Sequence, residues 1–168
     1  MPVHVIVLNP VRADSFGGAE RVLLEFLSRL DRERYRPIVI VSGDGKFSRA
    51  VKDIDIEVEA IPVLTGTPAI NPNQLDYFLF ILRCLMGIPF LIAKLLRFPA
   101  SLVHTNSRGG HIAGGIAAKI LGLPVVMHFQ DHPSHAKFYN WLSAYFAHRV
   151  IAASRATEDW LTQGRWSL

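Results

Sequence analysis

Residues 3–42, "VHVIVLNPVRADSFGGAERVLLEFLSRLDRERYRPIVIVS", hold a strand, a loop with two adjacent glycines, a helix and a second strand. "VHVIVL" (3–8) and "RPIVIVS" (36–42) are near-continuous Val/Ile runs, the pattern of strands buried on both faces of a parallel sheet. Between them Val22, Leu23, Phe26, Leu27 and Leu30 recur at helical spacing, with Arg21, Glu25, Ser28 and Arg29 on the other side. A strand, a helix and a strand in so short a stretch make a βαβ unit, and its crossover is right-handed.

The same alternation continues outward. "DIEVEAIPV" (55–63), "SLVHTN" (101–106), "PVVMHFQ" (124–130) and "RVIAAS" (149–154) read as further strands, and residues 109–121 form a second clear helix stopped by Gly122 and Pro124. No internal repeat or low-complexity tract interrupts the pattern. The expected fold is α/β, Rossmann-like and doubly wound: a mostly parallel sheet of about six or seven strands in the order 3-2-1-4-5-6, with helices on both faces. Residues 1–163 are expected to form one such domain, and 164–168 the start of a linker or tail.

The 168 residues suffice for a full core, and with half of them hydrophobic and 19% charged the chain is not disordered. Cys84 is the single cysteine, which excludes an intrachain disulfide and points to a reducing, cytoplasmic compartment. "MPVHVIVLNP" reads as a strand and not as a signal peptide. Residues 1–59 carry nine Lys/Arg against ten Asp/Glu, and residues 60–168 nine against four. That positive excess lies beside "LDYFLFILRCLMGIPFLIAKLLRF" (75–98), the most apolar stretch, where Arg83, Lys94 and Arg97 leave no uncharged run long enough to span a bilayer. A core helix broken near Pro89 is the first expectation for this stretch. A helix lying on an anionic membrane surface, peripheral on its inner face, is the second. The basic residues form no run, so nucleic acid is not an expected partner.

In a doubly wound sheet ligands bind beyond the carboxyl ends of the strands. Asn9 to Gly18, Ser42 to Gly45, Thr105 to Gly110, Gln130 to His135, and Ser154 with Arg155 land there. Gly17 is expected to cap the first helix, with Glu20 reaching back to the cap backbone. Gly18 would let a phosphate or sugar hydroxyl approach the free N–H groups of the helix start; a tight strand-to-helix turn explains the same pair structurally. There is no G-x-G-x-x-G and no P-loop signature. Gly109 and Gly110 repeat the arrangement. There Asn106, Ser107 and Gly109 are the contact candidates, while Gly114 and Gly115 are expected to pack closely. "HFQDHPSH" (128–135) groups His128, Asp131, His132 and His135 without a recognised metal signature, so no metal is expected, and a polar loop gripping hydroxyls is preferred. Strand alternation is taken to set His128 apart from Gln130, with Phe129 facing the other way.

"GGAERVLLEFLSRL" (17–30), "LVHTNSRGGHIAGGIAAKILGLPVVMHFQD" (102–131) and "VIAASRAT" (150–157), in this order and at this spacing, resemble the N-terminal domain of GT-B retaining glycosyltransferases, glycosyl transferase group 1 or family 4. The resemblance runs from residue 3 to about 162. It implies two Rossmann-like domains facing a cleft, the N-terminal one receiving a sugar or lipid-linked acceptor and the C-terminal one binding the nucleotide-sugar. By the resemblance, Gly17 and Gly18 match the glycine loop facing the donor phosphates and the reacting sugar, and Ser154 the serine ending the sixth strand, with Arg155 beside it. Gln130-Asp131 stand where the family often has His-Asp, which excludes a catalytic histidine at that position, and Ser101 replaces a common aspartate. The family's paired donor-domain glutamates have no counterpart, so the donor domain is the expected missing partner and the chain alone is expected to be inactive. No tightly bound cofactor is implied. A stand-alone Rossmann-type binding or assembly module, or an unrelated nucleotide-dependent Rossmann enzyme, are the competing readings.

Overall fold

The structure, a computed structural model, describes residues 2–11, 16–65, 73–130 and 145–163. Six strands, β1 (Val3–Leu8), β2 (Tyr35–Val41), β3 (Glu57–Ala60), β4 (Leu102–Thr105), β5 (Val125–Phe129) and β6 (Arg149–Ala152), form one sheet in the order β3-β2-β1-β4-β5-β6. Every pairing is parallel. The strand order turns around at β1 and β4, where Leu8 lies opposite Thr105.

Two apolar layers sandwich the sheet. Val5, Val7, Val39 and Val41 point to one face and bury Leu23 and Leu27 of α1 (Gly18–Ser28) and Phe47 and Val51 of α2 (Lys46–Asp53). Ile6, Leu8, Val103 and Met127 point to the other, against Phe80, Leu91 and Leu95 of α3 (Gln74–Arg97) and Ile112 of α4 (Arg108–Leu121). Alternation along strands buried on both sides produces this, since each successive side chain meets the opposite layer. A fifth helix, α5 (Arg155–Gln163), follows β6.

Helix ends follow local chemistry. Gly122 takes a positive φ of 68° after α4, a conformation that glycine adopts without Cβ strain. Asn73 caps α3 by accepting from the Asp76 N–H at 2.9 Å, and Asp76 accepts in return from the Asn73 N–H.

One expectation is corrected here. α3 is not broken at Pro89; it runs unbroken for 24 residues. Proline removes the N–H that the Leu85 carbonyl would accept, which is damaging when that carbonyl is enclosed. Leu85 and Pro89 both lie on the exposed side of α3, where the freed carbonyl meets solvent.

Candidate functional site

The carboxyl edge of the sheet gathers the polar residues that the strands deliver. Asn9 follows β1 and donates its N–H to the Ile40 carbonyl at 2.9 Å; Asn106 follows β4 and donates to the Leu8 carbonyl at 3.0 Å. The β1–β4 register, continued by one residue, sets these two asparagines side by side. Both are buried, and among the described residues neither the Asn9 amide (Oδ1 and Nδ2) nor the Asn106 Nδ2 finds a hydrogen-bond partner. A buried polar group left unsatisfied costs about 1–3 kcal/mol, so such groups concentrate where something other than the fold uses them. Asn106 Oδ1 is taken, accepting from Gln130 Nε2 at 2.7 Å. Asn9 is the residue that sequence reasoning missed as an individual candidate; its only signal was its place at the end of the first strand.

Gly17 and Gly18 stand at the start of α1. Glu20 closes the turn as expected, its Oε2 accepting from the Gly17 N–H at 2.6 Å. Neither glycine has a positive φ, so the turn does not demand glycine. A Cβ at Gly18 would meet nothing within 4 Å, and Gly17 offers no side chain to cap the first-turn N–H groups. Among the described residues nothing covers the α1 start, which is electropositive through its N–H groups and accompanied by one carboxylate, an arrangement able to accept from and donate to a polyhydroxylated ligand.

The second glycine pair behaves differently. Ser107 caps α4, its Oγ accepting from the Gly110 N–H at 3.3 Å. A Cβ at Gly109 would stand 1.6 Å from the Thr65 carbonyl oxygen, so the close approach this glycine permits is to the chain's own backbone. Gly114 and Gly115 do pack closely: their Cβ atoms would lie 2.8 Å from Thr105 Cγ2 and 2.7 Å from Phe146 Cβ.

Gln130 Nε2 also reaches His128 Nδ1 at 3.3 Å, which corrects the expectation that alternation separates them. Residues two apart on a strand share a face. Asp131, His132 and His135 lie outside the described residues. Among the described residues no three of His, Cys, Asp or Glu are grouped to hold a metal. Ser154 caps α5, accepting from the Thr157 N–H at 3.2 Å, and Arg155 is exposed beside it.

Behind this edge sit three imidazoles. His111 is buried, its Nδ1 2.6 Å from Thr105 Oγ1 and its ring against Phe129. His104 stacks on His128 with centroids 6.0 Å apart and meets Phe26 edge-on. Burial, then neighbouring His128, lowers the His104 pKa to about 4; burial first, then His104, His128 and Arg108, lowers His111 to about 3; burial alone lowers His128. The unfolded chain takes up protons on these rings below about pH 6.5 while the folded rings stay neutral, so stability falls as pH drops through that window. The melting temperature should therefore decline steadily from about pH 6.5 to about pH 4, and His104→Phe, which keeps the contact with Phe26, should flatten the decline. An unchanged slope in His104→Phe would remove His104 as a cause.

Two concavities lie elsewhere. One of about 430 Å³ sits at the amino edge among His4, Arg32, Arg36 and Glu57; the other, about 330 Å³ and apolar, lies over the sheet between Phe26, His104, Val126 and Ile151. Neither has the polar groups of the carboxyl edge.

The chain matches the family described as Glycosyltransferase Family 4 over residues 16–165. No sequence among the curated proteins matches it. Among solved structures it is similar to HepE of Anabaena in complex with UDP, at 22% identity and a TM-score of 0.70, over 96% of this chain and 41% of that one. MurG of Acinetobacter baumannii is matched at 20% identity and a TM-score of 0.66, over 93% of this chain and 42% of that one. The lipopolysaccharide outer core galactosyltransferase WaaB gives 14% and 0.66, over 98% and 43%. The chain therefore spans about 40% of the length of the solved structures it matches, and its fold is that of their N-terminal half.

Proposed function

Because the chain belongs to glycosyltransferase family 4, we propose that it forms the acceptor-side half of an enzyme that moves a sugar from a nucleotide-sugar to a glycan, lipid or small-molecule acceptor with retention. The observation that carries this reading is the carboxyl edge: the start of α1 at Gly18 and, on the same edge, the Asn9 amide and the Asn106 Nδ2, which have no partner among the described residues. Hydroxyl-rich ligands both donate and accept, which is what free amides and uncapped N–H groups require.

In this reading Gly18 admits the reacting sugar to the backbone, Gly17 and Glu20 shape the turn, and Asn106, held by Gln130, presents its Nδ2 to an acceptor oxygen. Ser107, His128, Ser154 and Arg155 are further members of the acceptor wall. The donor half supplies the base and ribose contacts. Catalysis then consists of positioning plus stabilisation of the departing diphosphate, with no resident metal and no tightly held cofactor. Cys84 takes no part: it is buried, and desolvation pushes its thiol up to about 12, so it stays protonated.

Residues 1–168 by themselves are expected to bind nucleotide-sugars weakly or not at all, and to transfer nothing. Calorimetry with a panel of UDP-, GDP- and ADP-sugars tests this. A micromolar Kd for any of them would overturn the two-jaw reading and favour a self-sufficient nucleotide-binding protein.

A further inference from the structure

The concavity at the amino edge of the sheet, about 430 Å³, gathers charges of both signs around apolar walls. The strand register explains how. His4 of β1 lies opposite Arg36 of β2, and Ile38 of β2 lies opposite Glu57 of β3. Side chains two apart on a strand, or directly opposite on parallel neighbours, share a face. His4, Arg36, Ile38 and Glu57 therefore stand on one face, the one that carries α3. Phe98, the residue that ends α3, bounds the concavity there, and Ile54, the residue that ends α2, bounds it from the opposite layer.

These charges do not neutralise one another. Opposite charges on neighbouring strands and one face ordinarily pair, yet among the described residues Arg36 and Glu57 form no ion pair, and neither does Asp55 on the same wall. Asp55 also has an unusual backbone, with a φ of 57°. Aspartate tolerates that conformation where its side chain bonds locally, but among the described residues the Asp55 carboxylate makes no hydrogen bond. Arg32 is held in place: its Nη2 donates to the Leu27 carbonyl at 3.0 Å, which leaves the other N–H groups of the fork for a further acceptor.

The ligand that fits follows from these groups. Guanidinium forks take a carboxylate bidentately. Ionised carboxylates only accept, so Asp55 and Glu57 call for a donor, and an ammonium serves both. A simple anion would meet the two carboxylates, and a simple cation the two arginines, so the ligand carries both signs. Between them Ile54 and Phe98 offer apolar surface to its body. The volume is that of a small-molecule site, which begins at about 300 Å³.

We propose that this concavity binds a free α-amino acid with an apolar or aromatic side chain, its carboxylate on Arg32 and Arg36, its ammonium on Asp55 and Glu57, and its side chain against Ile54 and Phe98. The site lies at the opposite edge of the sheet from the candidate sugar site and does not rest on the glycosyltransferase reading. Calorimetry of the chain with L-phenylalanine, L-leucine, L-glutamate and inorganic phosphate tests it. The two apolar amino acids should bind saturably at one site, and glutamate and phosphate should not bind. L-phenylalaninamide, which lacks the carboxylate, and N-acetyl-L-phenylalanine, which lacks the ammonium, should each bind about tenfold or more weaker than L-phenylalanine. Arg36→Gln should weaken L-phenylalanine by about tenfold or more without weakening the amide further, and Glu57→Gln should do the same with respect to the N-acetyl compound. Both positions are exposed, so the melting temperatures without ligand should match the wild type. No binding of either apolar amino acid, binding that survives both substitutions, or phosphate bound as tightly as L-phenylalanine would overturn the proposal.

Discussion

Gly18→Val, in the chain joined to a donor half, leaves the domain folded and lowers sugar transfer by about a hundredfold or more. The backbone at Gly18 has no positive φ, and among the described residues its Cβ would meet nothing within 4 Å beyond its own helix backbone and chain neighbours. Valine is also a better helix former than glycine, so the melting temperature should hold or rise slightly. What valine removes is the close approach of a ligand to the start of α1. The test is a paired measurement of transfer rate and thermal unfolding. A large loss of stability would mean that the glycine serves the turn, and a folded, fully active variant would mean that no ligand approaches there.

Gly109→Val gives the opposite result. Its Cβ would meet the Thr65 carbonyl oxygen at 1.6 Å, and backbone cannot yield as a flexible side chain does. α4 would have to move off the segment before α3, at a cost of about 3 kcal/mol or more. For a domain of this size that lowers the melting temperature by about 6–12 °C. Thermal unfolding of the variant decides it; a shift of under about 2 °C would show that the contact of α4 with the segment before α3 gives way easily. Two glycine pairs, each opening a helix after a strand, thus separate into one that leaves room for a ligand and one that is filled by the chain.

That separation was not legible in the residues. "GGAE" and "GGHI" carry the same local signal, and what differs is whether another segment crosses in front, which is a long-range fact. The Val/Ile runs of β1 and β2, the helical spacing from Val22 to Leu30, and Gly122 with Pro124 all act locally or by period, and they predicted the sheet, its order and the helix ends. Pro89 misled because proline's cost depends on whether the carbonyl it frees is enclosed, and in α3 it is not. At the site, the segments of the carboxyl edge followed from strand direction alone. The unsatisfied amide of Asn9 did not, since satisfaction is a property of neighbours. Burial, which no local pattern at His104 and His111 encodes, makes these two neutral core groups.

The parallel pairing of β1 with β4 has a consequence for synthesis on the ribosome. β1 is a central strand, and Val5 to Leu8 pair with residues 102–105. At about 5–20 residues per second, about 5–20 s pass between the emergence of the two partners. β2 arrives early and covers one side of β1. Its other side meanwhile presents unpaired N–H and C=O groups along an Ile/Val-rich segment, a template for pairing with other nascent chains. α3, with its doubly apolar surface, emerges during that same interval. The nascent polypeptide is thus most prone to aggregate just before β4 appears, and holding it there is work for a chaperone that recognises extended apolar segments.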